Sequence, residues 1–353
     1  MSAEAKEGME RELLYRALKM ASAALASRDD VPSFASFFFN GKSVRAYDDE
    51  LAITVRCVLP IKGGLAGRPL LAWVSGLNGT DIAVEASENS VRLKCGRSRI
   101  DLPLIPGKLE AYVDPEEQGI FVSAPLELYE GMQRCAPYMG NDSAHPWRIG
   151  MTLHIEKGKA LLYATDNVAI VRAEASVEAD ANVEIVLLPR FVHQLLSFAK
   201  TGSVSSIRLG NGWARATFDD KTQLFSRTLG EVQAKNYARA LDAVWHEVPS
   251  EVEIPARLSG MLHSLDRVLS ASKGSEANLS IGKGKLSLSS DGASVSVNES
   301  AKLEGKHPEI RVKIKPKVML SAIDLATHMA VIDRAVTLRG ERFDFAMSVI
   351  SED

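Results

Sequence analysis

An internal repeat is the feature that most constrains how this chain can fold. The segment Leu161–Ala175 contains an apolar run, a polar break at Thr165–Asn167 and an alternating apolar run, which is the pattern of a β-hairpin. Similar segments surround Asp48 and Asp49 in the first third of the chain and Asp291 in the last third. The spacing predicts a repeat of roughly 120 residues.

Helix-like segments that open on a proline accompany these hairpins. Proline suits the first helical turn, because the N–H that it lacks would have no intrahelical partner there and its φ is already helical. Each third of the chain is then predicted to read helix, strands, helix, strands. The alternative is that the prolines are unrelated, since proline starts helices in any fold. The five prolines are Pro69, Pro125, Pro189, Pro255 and Pro316.

Length and composition fit three ordinary globular domains. The chain has 353 residues, 46% of them hydrophobic and 25% charged, with a formal net charge of -3. Division by three gives units of about 118 residues, a common domain size. No apolar run approaches the roughly 20 residues of a membrane span, and the polar start of the chain predicts no signal or transit peptide, so we expect a cytoplasmic protein. We predict an α+β fold with domains at residues 1–116, 117–247 and 248–353.

The clearest predicted helix is Met9–Ala26. Its apolar residues recur at helical spacing and form a stripe that would face a core. They are Leu13, Leu14, Ala17, Leu18, Ala21 and Leu25. By contrast, Thr228–Glu251 is the least regular stretch of the chain, and we predict a linker there.

No pattern in the sequence predicts a metal site, a cofactor or a catalytic group. The three cysteines, Cys57, Cys95 and Cys135, are widely spaced and are predicted to be buried, reduced thiols. Asp166 could serve as a catalytic carboxylate, but its repeat partners at Asp49 and Asp291 favour a turn residue. The turn Gly282–Lys285 is predicted to close a hairpin and not to cradle phosphate, because no helix follows it.

Basic side chains are concentrated on the predicted helices. These segments hold about twice as many Lys and Arg as Asp and Glu, although the whole chain is slightly acidic. Such a surface could hold a polyanion without reading bases. The alternative is a solvated helix face. The cations are Arg11, Arg16, Lys19, Arg68, Arg134, Arg190, Lys200, Arg257, Arg267, Lys315 and Lys317.

Several short segments carry a family resemblance through their order and spacing. They are RDDVPSF (Arg28–Phe34), CGRSRIDL (Cys95–Leu102), YATDNVAIV (Tyr163–Val171), LLPRFVHQLL (Leu187–Leu196), LFSRTLGE (Leu224–Glu231), NYARAL (Asn236–Leu241) and the terminal hairpin. With these the chain resembles the bacterial DNA polymerase III beta subunit, the sliding clamp, over essentially its whole length. It would be a divergent member, for which a phage origin is one explanation.

The resemblance implies a DNA-encircling protein. In that family three domains of one topology form half a ring, two chains close head to tail, and helices line the hole. Arg28, Trp147 and Arg148 then match positions that contact DNA, although Trp147 could instead begin a buried strand. The chain would make or break no bond, and a separate ATP-driven loader would place it on duplex DNA.

The resemblance also implies a cleft that takes short peptides from polymerases and clamp-loader subunits. Two departures predict a shallower or altered cleft: Asn167–Ala169 replaces the usual Gly-His-Arg, and Lys235 replaces a proline. The tail MSVISED likewise replaces one rich in Met and Pro. The predicted cleft residues are Thr165, Asn167, Val168, Ile170, Lys235, Arg239, Ala240, Met347, Ser348 and Val349.

The resemblance places a homodimer interface between an edge strand of the first domain and one of the third. Arg97, Arg99 and Ile100 match the first side, and Val268 and Leu269 match an apolar plug. The alternative is that Val268 and Leu269 are ordinary helix core. We therefore predict a sliding clamp that tethers a replicative polymerase; the alternative function is a clamp-fold interaction platform that does not encircle DNA.

Overall fold

The computed structural model describes residues 8–28, 31–107, 109, 119–140, 148–200, 202–229, 234–248, 251–272, 274–291, 296–304 and 307–350. These residues form 24 strands, seven α-helices and two short 3₁₀ helices, at Ser22–Ala24 and Ala136–Tyr138. The predicted α+β fold class is confirmed.

One order of elements occurs three times along the chain: a strand, a helix, four strands, a second helix and three strands. The first copy contains β1 (Gly8–Glu10), α1 (Arg11–Ala21), β2 (Ser36–Asn40), β3 (Ser43–Tyr47), β4 (Leu51–Arg56), β5 (Lys62–Ala66), α2 (Gly67–Ser75), β6 (Asp81–Ala86), β7 (Ser90–Cys95) and β8 (Ser98–Pro103).

The second and third copies follow the same order, with one additional helix between them. The second contains β9 (Ile120–Val122), α3 (Leu126–Cys135), β10 (Met151–Glu156), β11 (Lys159–Thr165), β12 (Ala169–Ser176), β13 (Val183–Leu187), α4 (Pro189–Ala199), β14 (Val204–Gly210), β15 (Trp213–Phe218) and β16 (Gln223–Leu229). The connecting helix is α5 (Ala234–His246). The third contains β17 (Val252–Glu253), α6 (Leu258–Ala271), β18 (Ala277–Gly282), β19 (Lys285–Asp291), β20 (Ser296–Lys302), β21 (Ile310–Ile314), α7 (Pro316–Ile323), β22 (His328–Ile332), β23 (Ala335–Gly340) and β24 (Phe343–Ser348).

By contacts the chain divides into two compact units, Met1–Ala124 with His193–Thr228, and Pro125–Val192 with Leu229–Asp353. The first unit has an eight-stranded sheet in the order β9-β14-β15-β16-β4-β3-β2-β5, and the second has β17-β22-β23-β24-β12-β11-β10-β13. Each unit also has a four-stranded sheet, β1-β6-β7-β8 in the first and β21-β18-β19-β20 in the second. The predicted boundaries after residues 116 and 247 stay predictions, and the first of them lies outside the described residues.

The stripe predicted for the first helix forms its buried face. Leu14 and Leu18 have no exposed surface, and Ala17 and Ala21 are also buried. Leu13, predicted to belong to the stripe, is instead 54% exposed. It precedes Leu14 by one residue, and neighbouring helical residues point about 100° apart. The α-helix ends at Ala21, earlier than predicted.

Prolines mark the helix starts with varying accuracy. Pro189 and Pro316 are the first residues of α4 and α7. Pro125 immediately precedes α3, Pro255 lies three residues before α6, and Pro69 is the third residue of α2. All five lie within the region where the missing N–H removes no intrahelical hydrogen bond.

The linker predicted at Thr228–Glu251 contains the 13-residue helix α5, so the prediction of an irregular segment is wrong. Its buried residues, Ala234, Tyr237 and Leu241, follow a helical spacing that the sequence already contained. Ala238, Val244 and Trp245 widen this stripe to the i, i+3, i+4, i+7 pattern of an amphipathic helix.

Two of the repeated hairpins contain the same type of hydrogen-bonded turn. Asp48 Oδ1 accepts from the N–H groups of Glu50 and Leu51, at 3.3 and 3.0 Å. Asp166 Oδ1 accepts from Val168 and Ala169, at 3.0 and 2.8 Å. The turn role predicted for Asp166 is confirmed, and its partner is Asp48.

Strand register corrects the other repeat partners of Asp166. Asp49 corresponds to Asn167, and both have left-handed backbones, with φ of 82° and 76°. In the third copy Asp291 pairs with Ser296, four residues intervening, as Thr165 pairs with Ile170. Asp291 therefore occupies the position of Thr165, one residue before the turn aspartate.

The cysteines are buried and free, as predicted. Burial raises the pKa of the Cys57 and Cys135 thiols to about 12, so both stay protonated at neutral pH. Among the described residues no group of His, Cys, Asp and Glu side chains could hold a metal ion. No helix in that part of the chain is long and apolar enough to span a bilayer.

Candidate functional site

A cleft of about 910 Å³ lies in the second unit. Its walls come from the turn between β11 and β12, from α5, and from β23 and β24 with the turn before β23. The lining residues are Arg148, Thr165, Asn167, Val168, Ala169, Ile170, Asn236, Tyr237, Ala240, Ala243, Val244, Arg334, Ala335, Ala346, Met347 and Ser348.

Helix α5 is held against the sheet by an apolar cluster. Tyr237 stacks on Tyr163 with ring centroids 5.8 Å apart, and Leu241 is fully buried beside them. Burial raises the pKa of the Tyr237 hydroxyl. The helix turns Ala240 and Ala243 toward the cleft, and because these side chains are small, space remains between helix and sheet.

The opposite rim of the cleft is a turn fixed by hydrogen bonds. Thr165 Oγ1 donates to the carbonyl of Ala169 at 2.7 Å, in addition to the two amides that Asp166 accepts. Ser348 donates to the Val168 carbonyl from both its N–H and its Oγ, at 2.8 and 3.0 Å. The apolar side chains of Val168 and Ile170 are therefore presented from a fixed backbone.

The charged residues that line the cleft are both cations. Arg148 is half-buried, and Arg334 is exposed and pairs with Glu247 at 2.5 Å. No carboxylate is among the described lining residues. A mainly apolar cleft with a cationic rim suits an apolar anchor that has an acidic group beside it.

An ion-pair network lies under α5 next to the cleft. Arg172 Nε donates to Asp344 Oδ2 at 3.0 Å, and its Nη2 also contacts that oxygen. Arg339 lies 3.4 Å from Asp344, pairs with Glu251 and stacks over the Trp245 ring at 4.0 Å. These contacts join β12, β23 and β24 to the end of α5.

Seven of the ten predicted cleft residues line the cleft: Thr165, Asn167, Val168, Ile170, Ala240, Met347 and Ser348. Lys235 and Arg239 do not, because they lie on an exposed side of α5. Val349 is also absent from the lining; its N–H donates to the Arg334 carbonyl.

Sequence reasoning missed several lining residues. Ala243 and Val244 continue the cleft face of α5 at helical spacing from Ala240, a signal that a helix prediction there would have revealed. Arg334 and Ala335 belong to a hairpin more than 160 residues from the first rim, and no local pattern predicts that approach. Arg148, for which DNA contact stays a prediction, also lines the cleft.

The residues predicted to contact DNA fall into three groups. Exposed cations are Arg16, Arg28, Arg68, Lys200, Arg257 and Lys317. Half-buried cations are Arg11, Arg134, Arg148, Arg190 and Lys315. Trp147 lies outside the described residues. DNA contact by any of them stays a prediction.

Several of these arginines have structural partners, Arg11, Arg68 and Arg134 among them. The Arg11 guanidinium donates to the carbonyls of Val74 and Ser75, both at 3.3 Å, and pairs with Glu12 at 2.8 Å. It therefore binds carbonyls at the C-terminal end of α2, where a cation is favoured by the helix dipole. Arg68 donates to the carbonyls of Ala26 and Ser27.

The predicted dimer interface divides between surface and core. Arg97 lies in the turn before β8, Arg99 and Ile100 lie on β8, and both arginines are exposed. Val268 is half-buried on α6, whereas Leu269 is 5% exposed and belongs to the core. A role of Val268 and Leu269 in a dimer interface stays a prediction.

Three repeats of one α+β topology, with a peptide-sized cleft beside a connecting helix, define the class of this fold as a clamp fold. The fold is that of the bacterial DNA polymerase III beta subunits, as the following structures show.

Solved sliding clamps match the chain over almost its full length. The Pseudomonas aeruginosa clamp bound to griselimycin has a TM-score of 0.81 at 17% identity, covering 98% of each chain. The Bacillus subtilis clamp has a TM-score of 0.84 at 16% identity, and the Helicobacter pylori clamp bound to a DNA ligase peptide has 0.82 at 15%. Each of these two covers 98% of this chain and 99% of the other. No family model and no curated protein matches the sequence. These bacterial structures lend no support to a phage origin.

Proposed function

We propose that the protein is a DNA sliding clamp: two copies close head to tail around duplex DNA, and the cleft tethers a polymerase or a clamp-loader subunit. The observation that carries this is the full-length match to solved clamps, with a TM-score of 0.84 for the Bacillus subtilis protein. The chain makes no bond itself, acts in the cytoplasm and is loaded by a separate ATP-driven partner.

Two open strand edges support closure of a ring. Each copy has four strands between its two helices. Within each unit, the third of these four strands pairs with the final strand of the next copy: β4 pairs with β16, and β12 pairs with β24. By this rule β20, in the third copy, should pair with the final strand of another copy. The final strands of the second and third copies, β16 and β24, are already paired in this way, which leaves β8 of the first copy. Among the described residues, β20 pairs only with β19, and β8 only with β7. Pairing β8 of one chain with β20 of another would complete a sheet of the same order.

The repeat also predicts the register of that pairing. Val171 lies opposite Phe345, and by their places after the turns Val171 corresponds to Val297 and Phe345 to Ile100. Ile100 of one copy should therefore lie opposite Val297 of the second, with Arg99 opposite Asn298. This agrees with the interface side predicted for Arg99 and Ile100.

Closure is tested by mass and by crosslinking. We expect about twice the chain mass of 38.3 kDa in solution, and an interchain disulfide when Ile100→Cys and Val297→Cys are combined. The off-register pair Pro103→Cys with Val297→Cys is the control and should not crosslink. A stable monomer without crosslinks would contradict the ring and favour the interaction platform.

DNA binding should depend on enclosure and on exposed helix cations. Arg16 and Lys19 on α1 and Lys317 on α7 are exposed and suit phosphate contacts that carry no sequence information. Loaded protein should stay on a closed circle and leave when the circle is cut. Arg16→Glu with Lys19→Glu should shorten retention and weaken its salt dependence. Equal release from intact and cut circles would contradict enclosure.

The cleft should bind a short peptide with a large apolar anchor next to an acidic residue. In support, the solved Helicobacter pylori clamp holds a DNA ligase peptide, and the cleft described here has a cationic rim. Ile170→Asp should abolish binding of such a peptide, because it puts a carboxylate among the apolar side chains that line the cleft. Lys235→Ala, outside the cleft, should leave binding unchanged. Binding that survives Ile170→Asp would place the peptide elsewhere.

A further inference from the structure

The four-stranded sheet of the second unit has one apolar and one polar face. Leu279, Leu286 and Leu288 are buried on the face that α6 contacts. The opposite face is formed by the alternate residues of the same strands. By register it comprises Asn278, Ser280, Lys285, Ser287, Ser289, Asn298, Ser300, Lys302, Arg311 and Lys313.

The corresponding face in the second copy is apolar and covered. Counting from the hairpin turns, Leu161 and Tyr163 occupy the positions of Ser287 and Ser289. Leu161 and Tyr163 pack under α5. Among the described residues no helix comes after β24, and within them burial gives no reason for apolar residues on this face. Solvation alone explains serine, but it does not select cations over acids.

Cations and hydroxyls converge on a groove of about 440 Å³ at the turn end of this face. Ser280 lies directly opposite Ser287 on the next strand and opposite Arg311 on the other side. Lys285 and Lys283 also line the groove. The groove therefore offers two hydroxyl donors between an arginine and two lysines.

Carboxylates are few and peripheral. Glu309 lines the groove but pairs with Lys283 at 3.1 Å. The backbone of Asp291 lies six residues from Lys285 along β19, or about 20 Å at the rise of a strand. The turn end of the face thus keeps an excess of positive charge from Lys285, Lys302 and Arg311.

We propose that this face is a second nucleic-acid contact, which binds backbone phosphates and reads no sequence. Serine hydroxyls, lysine and arginine are the side chains that contact phosphate oxygens, and arginine can do so bidentately. The described residues of the face include no aromatic side chain on which a base could stack. A polar face without an apolar anchor favours a phosphate backbone over a folded protein partner.

This site lies on strands, whereas the cations proposed to contact enclosed DNA lie on helices. The two proposals can therefore be tested independently. The site also agrees with the hairpin reading of Gly282–Lys285. Lys283 and Gly284 have φ of 51° and 70°, as a tight hairpin turn requires, so the turn closes the strands. The phosphate donors are the side chains on those strands, not the turn backbone.

The test is binding of the full chain to a fluorescein-labelled linear duplex, measured by anisotropy across a salt series. Lys285→Glu with Arg311→Glu should weaken binding at least about tenfold. The slope of log K against log salt should become shallower by about 2, as expected for two lost phosphate contacts. Both residues are exposed, so folding should be unaffected; Lys285→Gln with Arg311→Gln should reproduce the slope change with a smaller charge change.

A matched control separates this site from a general charge effect. Lys42→Glu with Lys62→Glu changes the net charge equally at exposed positions of the first copy and should leave the slope unchanged. Equal losses in both variants, or no loss in either, would overturn the proposal. Displacement of the duplex by polyglutamate at equal charge would also overturn it, in favour of an acidic polypeptide. Retention on closed circles should persist in Lys285→Glu with Arg311→Glu, so failure here leaves the ring proposal intact.

Discussion

The two eight-stranded sheets share one strand plan but carry different covers. In the first unit, Ile105 and Leu109 from the segment after β8 pack onto Phe38, Tyr47 and Phe225. In the second unit, the helix α5 covers the corresponding face, and the cleft lies beside it. The same pairing of strands therefore lies under a closed cluster in one unit and beside an open cleft in the other.

The comparison shows that the connecting segment, and not the sheet, creates the cleft. A helix contacts a sheet along one stripe, and small residues at its border leave room that larger ones would fill. Ala240 and Ala243 are those residues in α5. A cleft can thus arise between two copies of a repeat without any change in the strand pairing.

The ion pairs beside the β12–β24 pairing are more buried than the ion pair beside the β4–β16 pairing. This difference gives the largest expected effect on the free energy of unfolding. Asp344 is 13% exposed and binds both Arg172 and Arg339. Asp344→Ala would leave the Arg172 guanidinium half-buried without its main partner. We expect a loss of about 2–3 kcal/mol in the free energy of unfolding, measured by urea denaturation.

The first unit supplies the control for that prediction. Asp49 pairs with Arg227 at 2.6 Å, but the two side chains are 57% and 56% exposed. Because water screens this pair, Asp49→Asn, which keeps a residue type tolerated at the left-handed φ of 82°, should cost less than about 1 kcal/mol. Faster hydrogen exchange in β12 and β24 should accompany the Asp344 variant only. Equal losses at the two junctions would refute the distinction between them.

Local patterns predicted the repeat and most of its elements, because alternating apolar residues in strands and apolar stripes on helices depend only on residues close together in the sequence. The rim at Thr165–Ile170 was within reach for the same reason. The pairing of β12 with β24 was not, since it joins residues more than 170 positions apart, such as Arg172 and Asp344. The position of Arg334 at the cleft follows from that pairing, which only a family resemblance could anticipate in outline.

A second pair of variants tests whether the two turns are equivalent. Asp48→Ala and Asp166→Ala each remove an oxygen that accepts two backbone N–H groups. Because the amides can bind water at these partly exposed turns, we expect each variant to cost about 1 kcal/mol by thermal denaturation. Asp166→Ala should also weaken peptide binding, since its turn forms a cleft rim. A large difference in stability would show that the turns are not interchangeable.

The smallest effect is expected at the left-handed turn positions. Asn167 and Asp49 share this backbone, where glycine is strain-free and Asn or Asp is well tolerated. Asn167→Gly should change the free energy of unfolding by less than about 0.5 kcal/mol, because relief of strain is offset by the greater freedom of the unfolded chain. Asn167→Val should cost about 1–2 kcal/mol, because a β-branched residue is strained there. The side chain of Asn167 lines the cleft but adds no apolar surface to it. The glycine variant should therefore bind peptide as the parent protein does. A clear loss of affinity with unchanged stability would mean that the Asn167 amide itself contacts the peptide.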